Sequence, residues 1–84
     1  MNKLELKDTK EMMTSTDYKE RFKAEYYQLE IRYGKLNTML FMWDKGELDF
    51  EPTCPREIYD RQQKVMREYL EVLVERAELE GIEL

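Results

Sequence analysis

The 84-residue chain contains no histidine, one cysteine, two prolines and three glycines, and its only serine is Ser15. Each scarcity removes a class of chemistry. Without histidine the usual zinc ligand sets fail, and no Ser-His or Cys-His dyad can form. A lone Cys54 cannot close an internal disulfide. Long apolar runs are missing too. The longest, Met39-Leu40-Phe41-Met42-Trp43, falls far short of the roughly 20 residues that span a bilayer. The opening stretch from Met1 to Asp8 is rich in charge and does not read as a signal peptide. The expectation is a cytoplasmic protein with a reduced cysteine, no membrane contact, no metal and no cofactor. A net charge of −5 argues against direct nucleic-acid binding. Binding of some other kind, not catalysis, is the expected activity.

What is present is helix. Residues 17 to 45 hold no proline and one glycine, with Asp17 placed as an N-cap and Glu20 three positions on, the spacing of a capping box. The spacing predicts a first helix from Asp17 to Asp44, stopped at Gly46. Pro52 and Pro55 interrupt the chain, and Leu48 and Phe50 between the helices are expected to fold back over the end of the core. A second helix is predicted from Pro55, capped by Thr53 or Cys54, to Glu80, with Gly81 and Ile82 as its terminating pair. No alternating β pattern competes. The class is all-α: an antiparallel two-helix hairpin over residues 17–84, preceded by an arm or short helix over residues 1–16.

Phe22, Tyr26, Leu29, Tyr33, Leu36, Leu40 and Trp43 recur at spacings of three and four, the seam of a helix packed along its length. Ile58, Gln62, Val65, Tyr69, Val72 and Leu79 are the predicted answering seam, flanked by Met66, Leu70, Leu73 and Ala77. Residue 43 then lies near 58, and residue 22 near 79. A second stripe on the first helix comprises Ala24, Tyr27, Ile31, Gly34, Thr38 and Phe41, on the side away from the seam. Either the N-terminal arm covers it or a second copy does. Gly34, unfavourable in a helix interior by about 1 kcal/mol, suggests close packing there. The expectation is a homo-oligomer built on this stripe.

Charge is uneven along the chain. Residues 17 to 45 carry six basic and five acidic groups, whereas residues 46 to 84 carry five basic and eleven acidic. Arg56, Arg61, Lys64 and Arg67 occupy the first half of the second helix, near Lys35 and Lys45 in the hairpin register. With Tyr59 they form the candidate ligand site, because guanidinium groups clamp phosphates and aromatic rings stack on bases. Glu68, Glu71, Glu75 and Glu78 crowd the second half and read either as a solvated face or as a nucleic-acid mimic. Arg76 is expected to pair with Glu25. Cys54 reads as a capping residue.

The string from Asp17 through Tyr18, Arg21, Glu25-Tyr26 and Leu29 to Arg32 and Leu36 resembles a known family, as does the later pattern of Gln62, Met66, Tyr69-Leu70, Leu73 and Arg76-Ala77. It is a family of short phage and prophage proteins named after an uncharacterised crAss-like phage gene product. The resemblance implies an accessory role in infection of a bacterial host, with counter-defence the common fate of such genes. More remotely, the layout is similar to that of phage nucleotide sponges of CBASS and Thoeris immunity. Those oligomerise and hold cyclic nucleotide signals between protomers with aromatic and basic side chains. The similarity implies sequestration of a cyclic nucleotide. The alternative is an anti-CRISPR-like inhibitor that offers its acidic end to a host defence nuclease.

Overall fold

A computed structural model describes residues 4–84 of the chain. Its elements are a single 3-10 turn at Leu6–Thr9, α1 at Lys10–Met13, α2 at Tyr18–Asp44 and α3 at Arg56–Glu80. Helices α2 and α3 lie antiparallel, and the turn and α1 pack on α2. The expected hairpin is therefore present, and residues of the arm are helical in part.

Both long helices stop where glycine permits it. Gly46 and Gly81 each sit at φ of +70°, in the left-handed region that costs other residues energy. After α2, the Glu47 N–H bonds the Met42 carbonyl at 2.9 Å and the Gly46 N–H bonds that of Trp43 at 2.9 Å. After α3, the Ile82 N–H bonds the Ala77 carbonyl at 2.8 Å, and the Ile82 side chain turns back into the core. These are paired terminal bonds of the Schellman kind. At the other end of α2, the Asp17 carboxylate accepts the Lys19 N–H at 3.0 Å. The reciprocal half of the expected capping box is absent, because the Asp17 N–H donates to the Ser15 hydroxyl instead. Helix α3 begins one residue later than expected, with Pro55 itself as the cap position.

The α2 seam is as expected: Phe22, Leu29 and Leu40 are buried, with Tyr26, Tyr33, Leu36 and Trp43 half-buried between them. The α3 seam is not. Leu73 and Ala77 are buried, and Met66 and Leu70 pack against them, whereas Ile58, Val65, Tyr69, Val72 and Leu79 face outward. The expected flanking residues are the core. Rotating the helix by one residue, about 100°, converts one seam into the other. On the observed face the Gln63 side-chain amide donates to Oδ1 of Asn37 on α2. The longitudinal register matches expectation, with Trp43 beside Tyr59 and Arg76 over Phe22.

Arm and α2 meet on the second stripe. Thr9 and Ala24 are both completely buried, yet Ala24 lies outside the hairpin core. One turn along from Ala24, the Gln28 amide donates to the Thr9 hydroxyl at 3.1 Å and reaches the Met13 sulfur. The Thr9 hydroxyl in turn donates to the Leu6 carbonyl at 2.8 Å. Along this stripe Tyr27 and Ile31 are half-buried, while Gly34, Thr38 and Phe41 remain exposed. The arm thus accounts for the near half of the stripe. A methyl group placed on Gly34 would meet nothing within 4 Å, so no contact inside the chain requires glycine there.

Candidate functional site at the connector

Where α2 gives way to the connector, one ring organises its neighbours. Trp43 meets the Tyr59 ring in a T-shaped contact, with a centroid distance of 5.9 Å and an interplanar angle of 70°. Over it lies the Arg56 guanidinium, 5.2 Å from the ring centroid, a separation at which a cation and an indole attract. Trp43 also forms one wall of a cleft of about 340 Å³, completed by Gly46, Leu48, Phe50, Glu51 and Pro52. That volume is at the lower end for small-molecule sites. Leu48 is half-buried and Phe50 is exposed, so only the former folds back as expected.

Arg56 is held rather than free. Its Nη1 bonds Asp44 at 2.6 Å and its Nε bonds Asp60 at 2.8 Å. The guanidinium hydrogen bond keeps the Asp44 carboxyl below its ordinary range. Both carboxylates in turn stabilise the charged form of Arg56. Its place over Trp43 is therefore fixed by contacts within the chain.

Of the remaining candidate residues, Tyr59 belongs to this cluster, whereas Arg61, Lys64 and Arg67 stand in solvent along α3. None of these three takes part in an ion pair among the described residues. Arg67 borders a separate groove with Leu70, Glu71, Val74 and Glu75. The five candidates do not converge on one pocket. Nor is the connector end basic as a whole, because Glu47, Asp49, Glu51, Glu57 and Asp60 surround Lys45 and Arg56 there. The cleft walls at Leu48, Phe50 and Pro52 were not legible as a site, and the nearest signal was two aromatics flanking a glycine and a proline.

At the opposite end, Tyr18 donates to Glu80 at 2.7 Å and accepts from Arg76 at 2.9 Å, while Arg76 also pairs with Glu80 at 3.2 Å. Arg76 therefore does not pair with Glu25, which instead accepts a hydrogen bond from the Tyr69 hydroxyl. Glu68, Glu71, Glu75 and Glu78 are exposed and form no ion pair among the described residues. No group of three or more metal-ligating residues comes together among the described residues. Nor is any helix there long and apolar enough to cross a membrane.

Fold and site together define a small all-α hairpin with an aromatic cleft at its connector. The chain belongs to the Sequestin family, whose model matches residues 16–79, almost the same stretch that carries the sequence resemblance. No curated protein sequence matches the chain. No solved structure matches it either.

Proposed function

We propose that the protein binds a small nucleotide signal at the connector cleft and holds it without cleaving it, as a phage accessory protein acting against host immunity. The family name Sequestin, which speaks of sequestration, supports the reading. The observation that carries it is the Trp43 ring, shared between the cleft and a guanidinium already locked over it. A base enters between Trp43 and Phe50, where stacking contributes about 1–3 kcal/mol per base. Phosphate oxygens then lie toward Arg56, with Lys64, about two turns further along α3, as an outer cation. The surrounding carboxylates disfavour a heavily charged polyphosphate and favour a ligand with few phosphates, such as a cyclic nucleotide.

Trp43 is the only tryptophan, so ligand entry is read directly by its fluorescence. The experiment titrates cyclic di- and trinucleotides and cyclic ADP-ribose isomers by calorimetry and by Trp43 emission, then releases the bound fraction by heat for chromatography. One member is expected to bind and to return intact. Phe50→Ala, at an exposed position, weakens binding roughly tenfold or more, and Lys64→Glu weakens it as well. Absence of heat and quenching for every member overturns the reading, and release of a cleaved product overturns its non-enzymatic part.

A further inference from the structure

The outward seam of α3 is too regular to be incidental. Ile58, Val65, Tyr69, Val72 and Leu79 follow steps of seven, four, three and seven, the a/d spacing of a helix that packs against another helix. All five are exposed, Val65 by 56 %, Val72 by 51 % and Leu79 by 87 %, and of them Tyr69 reaches back with its hydroxyl to Glu25 of α2. The arm is spent on α2 and leaves this seam open. The chain is also elongated, which leaves much of each helix uncovered. Its radius of gyration is 15.0 Å, against about 12 Å for a compact chain of this length.

We propose that α3 pairs in antiparallel fashion with α3 of a second copy through this seam, giving a two-fold dimer centred near Tyr69. Charge selects both the partner and the direction. Along the open flank of the seam, Arg61, Glu68 and Glu75 recur every seven residues, the positions that decide pairing in a two-helix contact. Antiparallel alignment sets Arg61 of one copy against Glu75 of the other, twice by symmetry. It likewise sets the basic first half of each α3 beside the acidic second half of its partner. Parallel alignment gives Arg61 no such partner and gathers the glutamates from 71 to 80 of both copies at one end. The one contact of Glu68 with its own copy, near the axis, opposes the two Arg61–Glu75 pairs and is outnumbered by them. An isologous contact of this kind closes on itself and stops at two copies. It uses α3, whereas the stripe singled out in the sequence lies on α2.

Sedimentation equilibrium of the full chain over a concentration series tests the proposal. The expected mass is that of a dimer. Val65→Glu/Val72→Glu leaves the helical circular dichroism unchanged, because both residues lie outside the core, and gives a monomer. A wild-type monomer at all concentrations, or a double variant that keeps the dimer mass, overturns the interface. Arg61→Glu and Glu75→Arg each weaken dimerisation several-fold, and combining them restores it. In a Cys54→Ser background, Ile58→Cys/Leu79→Cys oxidises to a covalent dimer and Leu79→Cys alone does not. A covalent dimer from Leu79→Cys alone overturns the antiparallel direction.

Discussion

Arg56, the first residue of α3, bonds Asp44, the last residue of α2, at 2.6 Å and so ties together the two ends of the connector. The bond fixes where α3 begins relative to α2, and it holds the guanidinium over Trp43. Arg56→Lys keeps a charge but not the fork that spans Asp44 and Asp60 together. That variant is expected to lower the urea midpoint and to change Trp43 emission in the free protein. Unchanged emission would show that the guanidinium does not sit on the ring.

Leu73 and Leu79 separate the observed core from the expected one. Leu73 is completely buried, so Leu73→Ala destabilises by about 2–5 kcal/mol. Leu79→Ala, measured in dilute solution, changes stability by no more than about 0.5 kcal/mol. Urea denaturation of the two variants checks the rotation of α3, and a reversed order would restore the seam read from spacing.

The glycines give opposite signs. Gly81→Ala places a side chain at φ of +70° and is expected to destabilise by about 1–2 kcal/mol. Gly34→Ala occupies open space on a helix, and is expected to stabilise by about 0.5–1 kcal/mol. Thermal melts of both variants decide it. A destabilising Gly34→Ala would revive a close contact at that position in the assembled protein.

Burial of Thr9 makes the arm part of the fold. Thr9→Val removes the hydroxyl that joins Gln28 to the Leu6 carbonyl, and is expected to cost about 1 kcal/mol. Amide hydrogen exchange should show Lys10–Met13 exposed earlier in the variant, while α3 keeps its protection.

Stability falls at both extremes of pH, for separate reasons. The Arg56 hydrogen bond lowers Asp44, and the Tyr18 hydrogen bond, aided by Arg76, lowers Glu80. A depressed carboxyl binds fewer protons folded than unfolded. Its contribution is therefore present at neutral pH and is lost as the solution is acidified below about pH 4. The tyrosines behave oppositely. Hydrogen bonds to Glu80 and Glu25 raise Tyr18 and Tyr69, and burial raises Tyr26. Their contribution is complete below about pH 10 and is lost above it. Urea midpoints across the acid range should fall less steeply for Asp44→Asn, and absorbance at alkaline pH should show three of the six tyrosines ionising late.

Helix limits were legible because they rest on local chemistry: Asp17 as cap, and Gly46 and Gly81 as stops. The α2 seam was legible because its large apolar residues run the length of the helix, while the second stripe is interrupted by Gly34 and Thr38. On α3 two apolar lines lie one residue apart, and spacing alone does not say which one faces α2. The observed rotation buries Leu73 and Ala77 and pairs Gln63 with Asn37, a polar contact between helices that no periodicity reports. The connector cleft is lined by Leu48, Phe50 and Pro52 beside Trp43, a grouping set by the path of the backbone. Of the site, sequence therefore offered Arg56 and Tyr59 as ligand candidates but not the walls.

The antiparallel pairing of α2 with α3 also orders events in time. Asp44 and Arg56 are 12 positions apart, whereas Tyr18 and Glu80 are separated by 62. Closing the longer loop from an open chain costs about 1.5 kcal/mol more than closing the shorter one. The hairpin is thus set to zip from the connector outward, with the Arg56 bond formed early and the Tyr18–Arg76–Glu80 cluster last. Substitutions at Asp44 should slow refolding, and substitutions at Tyr18 should chiefly hasten unfolding.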